Sequence, residues 1–157
     1  LVFNYWEKSN AWWYANYGFC PASGGEQPYC QRNLLRKIIS DADSNIQLKQ
    51  PGAQLRYGHD TMQLPLVCLL EIDNYELATD DLEQLDRKGW GNYKVIPMAG
   101  NLQLIFYRAN PDDKEVLVKV LLNENEVHLP LKNHNGPYYL WSDFREYYLK
   151  KLDAYEK

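Results

Sequence analysis

The chain has 157 residues, of which 45% are hydrophobic and 24% are charged, a composition that is ordinary for a globular protein. This length is sufficient for one domain with a sizeable core. The net charge of −4, without any block of like charges, argues against a nucleic-acid partner and an anionic membrane surface. No apolar run approaches the roughly 18 residues of a membrane span, so no transmembrane segment is predicted.

The first third of the chain predicts two helices separated by a loop over residues 18–31. Residues 1–17 read as a helix rich in aromatic side chains. Residues 33–48 read as a second helix, because apolar residues recur at helical spacing along one side. Aromatic residues at this spacing usually belong to a core, but Trp12 and Trp13 have an alternative role as a sugar-stacking platform.

The most informative stretch follows the second helix. Pro51-Gly52 turns into a predicted strand over 53–57, and Gly58 then permits a sharp turn ahead of His59 and Asp60. An apolar helix is predicted from about Met62 to about Glu71, with Asp60 or Thr61 as its N-cap. Pro65 is tolerated because it falls in the first turn of that helix.

A strand end that leads into a helix is where open α/β sheets bind ligands. The unpaired N–H groups of the first helical turn also favour an anion there. His59 can hold a phosphate and Asp60 can donate a proton. The alternative is structural, with Asp60 capping the helix and His59 lying in a loop. Arg56 is a further phosphate-binding candidate, or else a strand-edge residue paired with a surface carboxylate.

The remainder of the chain is predicted to be irregular over 73–93, with a short helix near 81–85, and then mostly β. Predicted strands are 94–97, 102–108 and 115–122, and the last two alternate in polarity as a hairpin does. A final helix is predicted at about 140–155, packing on the sheet through Phe144, Tyr148 and Leu152. The fold class is therefore α/β, with a mixed sheet and flanking helices.

The segment Gly58-His59-Asp60 resembles the Gly-His-Asp signature of the histidine acid phosphatases, which include phytases and multiple inositol polyphosphate phosphatases. The likeness extends to the order of the elements and to Pro97-Met98-Ala99-Gly100-Asn101-Leu102, which enters a later strand. It covers most of residues 1–157. The resemblance implies the carboxyl-terminal part of a histidine phosphatase domain, with a helical segment over 1–50 and a sheet portion over 51–157.

In that family, a histidine in an Arg-His-Gly-x-Arg motif attacks phosphorus and becomes phosphorylated. The resemblance implies that His59 binds the phosphoryl oxygens and that Asp60 protonates the departing alkoxide of a phosphorylated small molecule. Asn101 is a weaker candidate for the same site, with a turn residue as its alternative role. No metal or organic cofactor is expected. Because Asp60 must carry a proton to act, activity is expected on the acid side of neutral.

The sequence departs from the family in one essential respect, since no Arg-His-Gly occurs in it. We therefore expect the nucleophile in an upstream, N-terminal part of the same protein, and expect this chain alone to be inactive. Met62 follows His-Asp-Thr where the family often has Asn, so substrate preference does not carry over closely. The alternative function is a non-catalytic phosphate- or sugar-binding module.

The remaining candidates concern cysteines and other polar residues. Cys20 and Cys30 bracket a flexible loop that a disulfide can close. Such a disulfide favours a periplasmic or extracellular protein, as does the resemblance. The acidic cluster around Glu71 gives no carboxyl separation on which to base a glycosidase. His128 and His134 lack the further ligands of a metal site, so no metal is expected.

Overall fold

A computed structural model describes residues 2–155, with the side chain of Phe3 left out. These residues form five α-helices: α1 (Val2–Tyr17), α2 (Arg32–Gln47), α3 (Asp60–Leu69), α4 (Asn92–Val95) and α5 (Trp141–Tyr155). They also form four strands: β1 (Leu102–Tyr107), β2 (Leu117–Leu122), β3 (Asn125–Glu126) and β4 (Tyr139–Leu140). The predicted α/β class is confirmed, but the mixed sheet is not, since all the strand pairs described are antiparallel.

The chain divides into two compact units, each built from two separated stretches. Unit 1 comprises Leu1–Gln31 and Gly58–Asn101, and unit 2 comprises Arg32–Tyr57 and Leu102–Lys157. From the sequence, a boundary between a helical segment and a sheet portion is expected at residue 50. That boundary falls inside the first stretch of unit 2.

Unit 1 is organised around α3 and an aromatic cluster. The side chains from Leu64 to Leu69 are all buried, as expected of a helix that is apolar on every side. The buried ring of Trp90 lies 5.0 Å from the ring of Tyr14 and 5.8 Å from the ring of Tyr75. The Tyr14 hydroxyl accepts a hydrogen bond from the Thr79 N–H at 2.8 Å. The buried aromatic residue of α1 is thus Tyr14, whereas Trp6, Trp13 and Tyr17, which share another face, are only half-buried.

Unit 2 contains an antiparallel sheet whose centre is β2. β1 pairs with β2 along its whole length, from Leu102 opposite Leu122 to Tyr107 opposite Leu117, which confirms the predicted hairpin. β3 and β4 also pair with β2, near its two ends. The α5 side chains predicted to pack, Phe144, Tyr148 and Leu152, are all buried. On α2 the buried residues are Leu35, Ile39 and Ala42.

Two predicted strands are wrong. Residues 53–57 form no strand but part of an irregular, exposed segment over 51–59, because no neighbouring strand pairs with them in the described chain and an unpaired strand is unstable. Residues 94–97 overlap α4 instead. Val95 and Ile96 favoured a strand locally, but the fully buried Val95 is accommodated by a single helical turn.

The sequence left open whether Cys20 and Cys30 form a disulfide, and the structure joins neither of them in one. Cys20 is buried while Cys30 is exposed at the surface. Backbone hydrogen bonds hold the intervening turn, with the Gly25 N–H donating to the Cys20 carbonyl at 2.9 Å. The cysteines therefore no longer bear on the compartment, and a periplasmic or extracellular location stays a prediction from the resemblance.

Candidate active site

His59 and Asp60 lie at the amino end of α3. His59 is the N-cap, with extended backbone (φ −122°, ψ 163°), and Asp60 is the first helical residue. The His59 carbonyl accepts hydrogen bonds from the N–H groups of Met62 at 2.8 Å and Gln63 at 3.1 Å. The helix thus begins about one half turn earlier than predicted. The predicted capping by Asp60 or Thr61 is wrong, because both residues lie inside the helix.

The side chains of His59 and Asp60, at the start of α3, are exposed and make no polar contact within the described residues that explains their presence. His59 caps the helix with its backbone only and makes no side-chain capping bond. Neither the His59 imidazole nor the Asp60 carboxylate makes a hydrogen bond or ion pair with any part of the chain that the structure describes. The simple structural explanation for Asp60, that its carboxylate caps α3, therefore does not account for it.

The backbone supplies the groups that an anion needs. The N–H groups of Asp60 and Thr61 precede the first intrahelical bonds of α3 and have no helical acceptor. They lie at the positive end of a ten-residue helix. A phosphoryl group placed there can accept from these N–H groups and from the imidazole of His59.

A second segment of unit 1 packs against the first turn of α3. Gln63 donates from Nε2 to the Val95 carbonyl at 2.8 Å. A Cβ added at Gly100 would lie 3.1 Å from that Nε2, so the absence of a side chain at Gly100 permits the close approach. Sequence reasoning missed Gln63. The glycine before Asn101 was the available signal that the backbone comes close to a neighbour here.

Asn101 follows that glycine and is half-buried. Its Nδ2 donates to the Ala99 carbonyl at 3.4 Å, across a turn in which Ala99 has a positive φ of 60°. This bond is the turn role that the sequence left open as the alternative. A direct contact between Asn101 and phosphate stays a prediction.

Arg56 belongs to unit 2 and is engaged there. Its guanidinium donates to the Asp41 carboxylate on α2 and, at 3.3 Å, to the Gln54 side-chain carbonyl. Lys37 also donates to Asp41, at 2.7 Å. The hydrogen bond from Lys37, and then the charges of Lys37 and Arg56, hold the pKa of Asp41 below its usual value. Arg56 is thus paired with a surface carboxylate, the alternative to phosphate binding, although it is not in a strand.

The exposed aromatic side chains of α1 are the candidate for a sugar-stacking platform. Trp12 is 55% exposed, and its ring meets the rings of Trp13 at 5.3 Å and Tyr17 at 6.1 Å, both edge-on. Trp12 is therefore a surface residue rather than a core residue. An exposed indole held by two neighbouring rings has the form of a stacking platform.

The remaining polar candidates gain no support. Glu71 and Asp73 lie in a turn after α3, where both have positive φ values. Within residues 2–155, no three His, Cys, Asp or Glu side chains are grouped as a metal site would require. None of the helices in that range is both long and apolar enough to cross a membrane.

Comparison with known proteins leaves the chain without an assigned family. No protein-family model matches it, and no curated protein matches it either. The resemblance to the histidine acid phosphatases therefore rests on the residues around His59 and Asp60 and on the helices on either side of them, since the strand expected before Gly58 is not formed.

Proposed function

We propose that this chain contributes part of the active site of a histidine acid phosphatase, a phosphomonoester hydrolase that works through a phosphohistidine intermediate. His59 binds the phosphoryl group, Asp60 is the general acid, and phosphorylated small molecules such as inositol polyphosphates are the substrate class. The observation that carries the proposal is the exposure of both side chains, without a structural partner, at the positive end of α3.

The arrangement supports a division of labour between backbone and side chains. The N–H groups of Asp60 and Thr61, together with the His59 imidazole, stabilise the negative charge of the phosphoryl group. A histidine from outside this chain attacks phosphorus. As the bond from phosphorus to the leaving oxygen breaks, the Asp60 carboxyl gives its proton to that oxygen. A sugar or inositol alkoxide needs this proton because it is otherwise a poor leaving group.

The exposed segment before His59 and Asp60 supports the proposal that another part of the protein packs against it. Residues 51–60 are all exposed, and Leu55 and Tyr57 are 74% and 91% exposed. The backbone of residues 51–58 makes no hydrogen bond to another backbone group in the described chain. Exposed large apolar side chains beside unpaired backbone are typical of a segment that pairs with another strand. The partner in this proposal is the N-terminal part of the same protein, which carries the nucleophile.

The first experiment is to sequence the coding DNA upstream of the Leu1 codon. An in-frame Arg-His-Gly after an apolar stretch supports the phosphatase. A stop codon upstream with no such motif in the same frame removes the nucleophile and overturns the enzyme proposal.

A second experiment tests the phosphate site on this chain alone. Titration of the ¹⁵N-labelled chain with inorganic phosphate should shift the amide resonances of Asp60 and Thr61 in a saturable manner. His59→Ala should weaken this binding, whereas His134→Ala, which removes an exposed histidine of unit 2, should not. Equal weakening by both variants, or the absence of saturable shifts, counts against the site.

A sugar-binding module is the second candidate function, favoured by the exposed Trp12 ring. Binding of oligosaccharides should then quench tryptophan fluorescence, and Trp12→Ala should abolish the quenching. Normal sugar binding by Trp12→Ala would reject this role for α1.

A further inference from the structure

Asn135 and Gly136 lie in the exposed loop of unit 2 that leads into β4. The two residues are exposed, and Gly136 has a positive φ of 59°. The loop is held around them, since the Asn133 side chain donates to the Gly136 carbonyl at 2.9 Å. The Tyr138 N–H donates to the Asn135 carbonyl at 3.2 Å. The loop around Asn135 is thus held by hydrogen bonds that the carbonyls of Asn135 and Gly136 accept.

The side-chain amide of Asn135 and the backbone nitrogen of Gly136 can react with each other, and neither is restrained by a hydrogen bond of its own within the described residues. The side-chain amide of Asn135 makes no hydrogen bond with the part of the chain that the structure describes, and neither does the N–H of Gly136. Water can reach both residues. Since Gly136 has no Cβ, nothing on that residue hinders the approach of its nitrogen to the preceding side chain.

We propose that Asn135 is a site of spontaneous deamidation. The Gly136 nitrogen loses its proton to a base in solution and attacks Cγ of Asn135. The bond from Cγ to the side-chain nitrogen breaks, and that nitrogen takes up a proton from water and leaves as ammonia. The product is a five-membered succinimide ring. The reaction needs no oxidant, reductant or cofactor.

Water then opens the ring in one of two ways. Cleavage of the new bond between Cγ and the Gly136 nitrogen restores the original backbone and leaves aspartate. Cleavage of the original peptide bond leaves isoaspartate, in which the main chain runs through Cγ and is longer by one methylene. Both products carry a carboxylate, so the formal charge of the chain changes from −4 to −5.

The other asparagines are protected by their surroundings or successors. Asn135 is the one asparagine in the sequence that is followed by glycine. Asn110 precedes Pro111, which has no N–H to lose. Asn10 is buried and uses both polar atoms of its side chain in hydrogen bonds. Asn133, in the same loop, precedes the larger His134 and donates its amide to a carbonyl.

Isoaspartate has a structural consequence beyond its charge. The carbonyl that accepts from the Tyr138 N–H becomes a free carboxylate outside the main chain, which now runs through Cγ. Tyr138 directly precedes β4, where Tyr139 pairs with Val118 and is buried. The Tyr139 hydroxyl also accepts from the Leu129 N–H at 3.0 Å. Formation of isoaspartate is therefore expected to loosen β4, whereas aspartate keeps the backbone path.

The test is incubation of the folded chain in mildly alkaline buffer, followed by proteolytic peptide mapping with mass spectrometry. The peptide containing Asn135 should gain the mass difference between an amide and an acid, and should separate into two products of equal mass. The rate should increase with pH, because the attacking nitrogen must lose a proton.

Gly136→Ala should slow the reaction by about tenfold or more, since any side chain hinders the approach, and Asn133 should remain intact in the same peptide map. The proposal is overturned if Asn135 persists while other asparagines convert, or if Gly136→Ala reacts as fast as the unaltered chain. Incubation of both chains in urea, where the fold is absent, shows whether any difference comes from the glycine itself. A difference lost in urea would overturn the steric argument.

Discussion

Asn10 joins two residues that lie far from it in the sequence, Trp90 and Asn92. Its Nδ2 donates to the Trp90 carbonyl at 3.2 Å, across 80 residues, and its Oδ1 accepts from the Asn92 N–H at 2.9 Å. Asn10 is 3% exposed, so both bonds satisfy backbone groups in a buried place. Asn10 therefore joins α1 to the start of α4 within unit 1, beside the contact between the rings of Trp6 and Tyr93.

Asn10→Ala should lower the free energy of unfolding by about 3 kcal/mol, because it leaves buried backbone groups without partners. Urea denaturation followed by tryptophan fluorescence measures the loss. Asn16→Ala is the matched control on the same helix, because the exposed Asn16 amide bonds only to the Trp12 carbonyl, one turn away. A loss at Asn10 no larger than at Asn16 would contradict the inferred role.

Tyr75 should make unit 1 sensitive to alkali. Burial raises the pKa of Tyr75 well above its ordinary value of 10.0, and its hydroxyl donates to the Gly91 carbonyl at 2.9 Å. The folded state therefore keeps the proton while the unfolded chain loses it. The contribution of Tyr75 to stability is complete below pH 10.0 and declines as the pH rises above that value.

Tyr75→Phe should unfold more easily at neutral pH, by about 1 kcal/mol, because the Gly91 carbonyl loses its donor. Above pH 10.0 its stability should fall less steeply than that of the unaltered chain. Denaturation at a series of pH values measures both effects. Tyr57→Phe, at a tyrosine that is 91% exposed, is the control. Identical slopes for Tyr75→Phe and the unaltered chain would rule out the buried proton as the cause.

Asp41 offers a second titration with the opposite sign. Because the pKa of Asp41 is lowered, its ion pairs stabilise unit 2 fully at pH values above 3.8, the ordinary pKa. This contribution is lost as the pH falls through the pKa that Asp41 has in the folded chain. Because the hydrogen bond from Lys37 is the largest cause, Lys37→Ala should raise the pKa of Asp41 more than Arg56→Ala does. Carbon NMR of the Asp41 carboxyl gives both values, and the reverse order would refute this assignment.

The role of Asp60 is best tested by comparing two leaving groups in the complete enzyme. Asp60→Asn removes the proton donor, so hydrolysis of alkyl phosphates should slow far more than hydrolysis of aryl phosphates, whose leaving groups need less proton assistance. Steady-state kcat for one substrate of each kind measures the difference. Equal losses on both would argue that Asp60 acts in binding or folding rather than as an acid.

The sequence predicted the elements whose pattern is local. Alternating polarity identified β1 and β2, and helical spacing identified α1, α2 and α5 within one or two residues. The short apolar run over 94–97 was ambiguous because burial of Val95, a tertiary effect, decided its conformation. The strand over 53–57 failed for a related reason, since strands depend on a neighbour that the local pattern does not reveal.

Of the surroundings predicted for His59 and Asp60, the apolar helix is present and the strand before them is not. His59 and Asp60 do precede an apolar helix, yet the helix starts at Asp60 and His59 takes the cap position. The pairing of Arg56 with Asp41 spans 15 residues and depends on how the chain folds back over α2. The contact of Gln63 with the segment before β1 is likewise long-range. Spacing along the chain carries no signal for such contacts.

The interleaving of the two units has a consequence for the order of folding during synthesis. The two stretches of unit 1 are complete once residue 101 has been made. On α2, by contrast, Arg36 and Asp43 bind Asp153 and Arg145 of α5, which is made after the whole of unit 1. Nascent chains fold as their segments emerge. Unit 1 can therefore close its core before α5 is available to bind α2, although α2 is made earlier than α3.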